Sequence, residues 1–169
     1  IEPLNGYRTK EQLPSNYGQF KTPTGEIEIL KEGTDITLVS YGSTFNIVIN
    51  VAEEIEKYGI SCEVIDVQSL IPFDIKKEIS KSVIKTNRLL IIDEDLPGGC
   101  SSYILQELLE KQDIYKHLDS KPSLLTAKDH RPPYGSDGDY ASKPSFEDIF
   151  ERIYLIMRES DPEKYKELF

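Results

Sequence analysis

Three consecutive carboxylates, Asp93-Glu94-Asp95, follow the apolar run Leu89-Leu90-Ile91-Ile92 and precede Leu96-Pro97-Gly98-Gly99. Acids at the carboxyl end of a strand stand where open α/β sheets place their ligands. Such a cluster could bind Mg²⁺, or hold one acid with a raised pKa. No second carboxylate cluster in the sequence converges on it, so the residues favour a solvated acidic loop or a docking site for a basic partner. A second candidate is Gly42-Ser43, after the run Ile36 to Tyr41, where the N–H groups of a helix start could hold a small anion. Neither Gly-x-Gly-x-x-Gly nor a P-loop lysine motif is present, and a simple capped helix start fits Gly42-Ser43 better. His117 and His130 lack metal-ligand spacing with either cysteine and read as turn or surface histidines. Cys62 has the setting of a small core residue. Cys100 opens a helix, which lowers a thiol pKa, but in an acidic neighbourhood, which raises it. The residues taken alone assemble no catalytic set.

The elements that would position these groups are clearer. Ile36 to Tyr41 is β-branched, apolar and of strand length. Val48, Val51, Ala52 and Ile55 then follow one helical face, and Lys57-Tyr58-Gly59 ends the helix with a cation and a C′ glycine. Cys62 to Val67 is a second apolar run. Strand, helix and strand make one right-handed βαβ unit over Gly33 to Pro72, and its strands must be parallel. Asp74 is placed to cap a helix over Ile75 to Ile84, with Ile75, Ile79, Val83 and Ile84 inward and Asn87 closing it. Arg88 to Asp93 is a third strand, apolar throughout as a strand covered on both faces should be. Ser101 or Ser102 opens a helix through Glu110, with Ile104, Leu105, Leu108 and Leu109 inward. Ser123 to Ala127 is a short strand. Ser145 caps a last helix carrying Phe146, Ile149, Phe150, Ile153 and Ile156 inward, with Asp148 completing a loose capping box. Gly25 to Leu30 alternates polar and apolar, as a half-exposed edge strand does. Residues 1–24, with Pro3, Gly6, Tyr7, Pro14, Tyr17, Phe20 and Pro23, have no period and read as an arm or linker. The domain proper is expected over residues 25–160, with residues 161–169 as a tail. The order βαβαβαβα predicts an α/β fold of three layers, α/β/α, around a mostly parallel sheet.

The 169 residues suffice for one core, with 38% hydrophobic and 30% charged side chains. The net charge of −10 argues against a nucleic-acid partner, which needs a basic footprint. No run reaches the roughly 20 apolar residues of a bilayer span. Two cysteines suit a reducing compartment. Ile1 in place of Met suggests a piece of a longer protein.

From Asp66-Val67-Gln68-Ser69-Leu70-Ile71-Pro72-Phe73-Asp74 outward, the chain resembles a known family. Pro23-Thr24-Gly25, the Glu32 to Gly42 stretch, Cys62 to Asp66 and Ser82 to Leu89 all take part. So do Asp93-Glu94 with Gly98-Gly99, and Leu118-Asp119 with Pro122 and the Asp129-x-x-Pro-x-Tyr run ending at Tyr134. Together these cover most of residues 20–156. They are similar to the carboxyl-terminal, transketolase-like domain of the β-type E1 component of thiamine-dependent 2-oxo acid dehydrogenases. Gln68, and the neighbourhood of Leu125, depart from it, since the family usually carries arginines there. The Asp137-Gly138-Asp139-Tyr140 loop and the tail after Ser160 resemble the long, fused bacterial chains of the branched-chain (2-oxoisovalerate) type.

The resemblance implies a parent enzyme that decarboxylates a 2-oxo acid and transfers the acyl group to a lipoyl acceptor. Thiamine diphosphate and Mg²⁺ would be held by other domains, leaving no catalytic, cofactor-binding or metal-binding residue in this stretch. The domain would shape a homodimer or heterotetramer and dock the basic subunit-binding domain of the acyltransferase component (E2), in a bacterial cytoplasm. Asp93, Glu94, Asp95 and Asp119 are the expected docking residues. Two other readings stand beside it. One is the same domain of another thiamine enzyme, such as transketolase. The other is a free-standing α/β module that binds a small anion at Gly42-Ser43.

Overall fold

The computed structural model describes residues 10, 12–135 and 138–168. Pro3, Gly6 and Tyr7 of the expected arm, and Asp137 of the expected loop, lie outside the described residues. The strands are β1 (Glu28–Lys31), β2 (Ile36–Ser40), β3 (Cys62–Asp66), β4 (Leu89–Ile92) and β5 (Ser123–Leu125). The helices are α1 (Thr44–Ile55), α2 (Glu78–Thr86), α3 (Cys100–Gln106), α4 (Gly138–Ser142) and α5 (Phe146–Ser160). The sheet order is β1-β3-β2-β4-β5. β2 pairs in parallel with β3, from Ile36 opposite Cys62 to Ser40 opposite Asp66, and with β4 through Leu38 opposite Leu90. β5 extends the parallel sheet, while β1 runs antiparallel along β3 as the expected edge strand.

All five residues of β2 and all four of β4 are buried, because both faces are covered. Side chains alternate between faces along a strand. Ile36, Leu38, Leu90 and Ile92 join α1 and α5 in one core layer. Val39, Ile65 and Ile91 join α2 and α3 in the other. This is the three-layer α/β/α architecture with a mostly parallel sheet. Ile149, Ile153 and Ile156 turn inward on α5, and Ser145 closes a capping box with Asp148. The segment after Ser160 is not a loose appendage: Tyr165 is buried against Tyr154, whose hydroxyl donates to the Lys166 carbonyl at 2.8 Å.

Four expectations need correction. α2 starts at Glu78, not Ile75, because Asp74 and Lys77 take positive φ values and insert a tight turn. Asp74 still caps it, accepting from the N–H groups of Glu78 at 2.8 Å and Ile79 at 3.0 Å. Ile75 and Ile84 are consequently exposed, and the Ile75 N–H donates instead to the Gly25 carbonyl at 2.9 Å. α3 begins at Cys100 and widens into a π-type turn over Glu107–Lys111. β5 stops at Leu125, since beyond it the Ala127 N–H bonds to the loop carbonyl of Asp95 at 2.9 Å. Ser43 makes no capping hydrogen bond to α1.

Candidate functional site

The chain leaves β2 for β3 on one side and later reaches β4 on the other. The carboxyl ends of β2 and β4 therefore form the topological switch point, where open α/β sheets have their ligand crevice. Gly42-Ser43 and Asp93-Glu94-Asp95 both arrive here, one loop from each strand. The structure thus brings together two candidates that the sequence presented separately.

Their side chains fill the crevice. Asp93 is only 1% exposed. Its carboxylate accepts from the Tyr41 hydroxyl at 2.6 Å, the Asp95 N–H at 3.0 Å and the Ser101 N–H at 2.9 Å. Burial, and then the hydrogen bonds to Asp93 and Cys100, hold the Tyr41 phenol far above its ordinary pKa, so it stays a donor at any working pH. Asp93 is thus an internal anchor and not a docking residue: a carboxylate with three donors and no exposure offers nothing to a partner. Glu94 is half-buried, accepting from the Ser43 hydroxyl at 2.8 Å and the Lys143 ammonium at 3.0 Å. The Ser43 hydroxyl is thus taken up by a carboxylate of the chain itself. Asp95 is exposed on the rim.

Asp119 lies elsewhere. Its N–H donates to the Asn87 carbonyl at 3.0 Å, and its carboxylate pairs with Arg88. That is the amino end of β4, whereas Asp95 lies past the carboxyl end. The four acids do not form one patch. His117 and His130 are exposed, and His130 Nδ1 bonds to the neighbouring Arg131 carbonyl at 2.9 Å. Cys62 is fully buried, and burial above all pushes its thiol up to about 12, which makes it inert. Cys100 is half-buried.

Sequence reasoning missed Tyr41, Lys143 and a buried carboxylate with its half-exposed partner at the opposite end of the sheet. Glu63 in β3 is 1% exposed and accepts from the Gly33 N–H at 3.2 Å and from Lys85. Burial raises its pKa, but the hydrogen bonds, led by that from Lys85, outweigh this and hold it below the ordinary value. The signal was a charge set between Cys62 and Val64 in an otherwise apolar stretch, which demands a partner when buried.

Thiamine diphosphate is held through Mg²⁺, which takes oxygen ligands in octahedral array. Among the described residues no group of three or more His, Cys, Asp or Glu could hold a metal ion. Nor is any described helix long and apolar enough to cross a membrane.

Comparison with known proteins agrees with this architecture. The family model "Transketolase, C-terminal domain" matches residues 25–143. A pyruvate dehydrogenase E1 component subunit beta of Mesostigma viride is 32% identical over 151 residues, 89% of this chain and 45% of the relative. A mitochondrial 2-oxoisovalerate dehydrogenase subunit beta 2 of Arabidopsis thaliana is 39% identical over 113 residues, 66% of this chain and 31% of the relative. The chain spans less than half the length of these relatives. A solved "split gene transketolase, inactive beta4 tetramer" superposes with a TM-score of 0.65 at 22% identity, over 86% of this chain and 46% of that one, a likeness of fold alone. With the match running from the Gly25 anchor past the switch point to Lys143, this chain belongs to the transketolase C-terminal domain family.

Proposed function

We propose that this chain is the carboxyl-terminal domain of the β-type E1 component of a 2-oxo acid dehydrogenase, and that it organises the enzyme instead of reacting. The observation that carries this is the switch point closed by Tyr41–Asp93 and Ser43–Glu94–Lys143, in a chain 32% identical over 151 residues to a pyruvate dehydrogenase E1 subunit. The parent enzyme decarboxylates a 2-oxo acid and passes the acyl group to a lipoyl acceptor. Thiamine diphosphate and Mg²⁺ supply the carbanion chemistry from domains outside this chain. Here the chain contributes a rigid body, subunit contacts and an acidic surface for a basic acyltransferase domain, in a bacterial cytoplasm. The reading as a free-standing anion-binding module is disfavoured by the Ser43 hydroxyl, which already donates to Glu94 of the same chain.

The test uses the full-length gene product. Given pyruvate or 2-oxoisovalerate with thiamine diphosphate and Mg²⁺, it should acylate a lipoyl domain, read as a mass increase. If neither acid supports acylation while the enzyme transfers ketol groups between sugar phosphates, the transketolase reading replaces this one.

A further inference from the structure

On the face opposite α2 and α3, a groove of about 610 Å³ runs along α1 and α5. Tyr58, Phe150, Tyr154, Leu155 and Leu168 line it. Phe150 and Tyr154 lie parallel at 6.4 Å, and Tyr58 meets the Phe150 edge at 5.2 Å. Leu155 is 47% exposed. The rim carries Glu54, Glu147, Glu151 and Glu167 against Arg158. An aromatic floor inside an acidic rim fits an apolar segment flanked by cations.

The chain itself carries such a segment. Residues 1–24 hold three cations (Arg8, Lys10, Lys21) against two carboxylates (Glu2, Glu11), in a chain of net charge −10. Within it, the Tyr17 N–H bonds to the Pro14 carbonyl at 3.0 Å and the Phe20 N–H to the Asn16 carbonyl at 3.3 Å, which winds residues 14–20 into a turn. Leu13, Tyr17 and Phe20 stand at i, i+4 and i+7, exposed by 72%, 74% and 60%. Lys10 and Lys21 bracket them.

We propose that this arm docks in the α1–α5 groove of a second copy of the chain, with Tyr17 and Phe20 on the aromatic floor and Lys21 at the rim. The arm of the same chain does not reach. It is anchored at Gly25 against Pro72 and Ile75, beside Ile27, Leu70 and Phe73, which pack on the α2–α3 core. The groove lies on the outside of the opposite helix layer. Five residue steps from Phe20 to Gly25 extend at most about 17 Å, short of a path around three layers stacked about 10 Å apart.

The chain should self-associate in sedimentation velocity as its concentration rises, more weakly in high salt. Phe20→Asp and Leu155→Glu, both at exposed positions that leave the circular-dichroism melt unchanged, should each abolish association. A labelled synthetic peptide of residues 10–24 should bind the Phe20→Asp chain and bind Leu155→Glu about tenfold more weakly or worse. Glu151→Lys should weaken the peptide, and a peptide carrying Lys21→Glu should recover part of the loss. A chain monomeric at every concentration, variants that associate like the parent, or a peptide indifferent to Leu155→Glu would each overturn the proposal. Association that persists with the peptide unbound would place the interface elsewhere.

Discussion

At the residue scale, two buried carboxylates fix the two ends of the sheet. Asp93 is held by donors and by the Tyr41 phenol. Glu63 is held by Lys85, which is 40% exposed, and by the Gly33 N–H. Since the Glu63 pKa is lower folded than unfolded, its contribution is present above the unfolded value of about 4.3. That contribution is lost as pH falls through the folded value. Glu63→Gln should therefore cost about 2 kcal/mol at pH 7, less than a fully buried pair because water already reaches Lys85. The difference from the parent should shrink toward pH 3, as read by urea unfolding at both pH values. An equal difference at both pH values would mean that packing, not charge, is what Glu63 supplies. Asp93 was visible in the sequence as chemistry but not as architecture, and Glu63 was not singled out at all. Asp93 looked like a docking residue because it has acidic neighbours. Its partners, Tyr41 and Ser101, come from segments that only the sheet brings together.

At the element scale, periodicity served well where one face of an element meets one core. The apolar runs of β2 and β3, the α1 face and the Ser145 capping box were legible because each is local or follows a fixed period. The start of α2 was not. Ile75 fits the helical period, yet Asp74 and Lys77 adopt positive φ, and the turn they make lets Ile75 clasp Gly25 instead. Non-glycine residues rarely take this conformation, and nothing in the residue types announces it. Gly33 marks a tighter constraint, because a Cβ there would lie 2.1 Å from the Cys62 carbonyl carbon. Gly33→Ala should wedge the start of β2 from β3 and cost about 2–3 kcal/mol, lowering the urea midpoint. A variant within a few tenths of a kcal/mol of the parent would show that the β2–β3 ladder yields at this point.

At the scale of the whole molecule, the acidic surface is divided. Asp95 and Asp119 lie past opposite ends of β4, whose four residues span about 13 Å. One small basic domain centred on either acid makes its close contacts there, not at both. Asp119→Lys and Asp95→Lys should accordingly differ: one should weaken capture of the basic acyltransferase domain by the full-length enzyme and flatten its salt dependence, and the other should leave both unchanged. Equal losses would call for a larger partner footprint, and no loss from either would remove this surface from docking. The sequence carried the charge but not its division. Asp119 and Asp95 are 24 residues apart in the chain, and only the paired strand sets them at opposite ends.

The tethered carboxylate at the switch point has a thermodynamic consequence. An α/β domain with an open crevice gains stability by mass action as its ligand accumulates, so its melting temperature follows the metabolite supply. Here Glu94 reaches the Gly42-Ser43 turn from within the same chain, and Lys143 completes the contact. That contact is intramolecular, so it forms with folding and needs no free ligand. The melting temperature of this domain should therefore stay the same with and without added inorganic phosphate, read by circular dichroism.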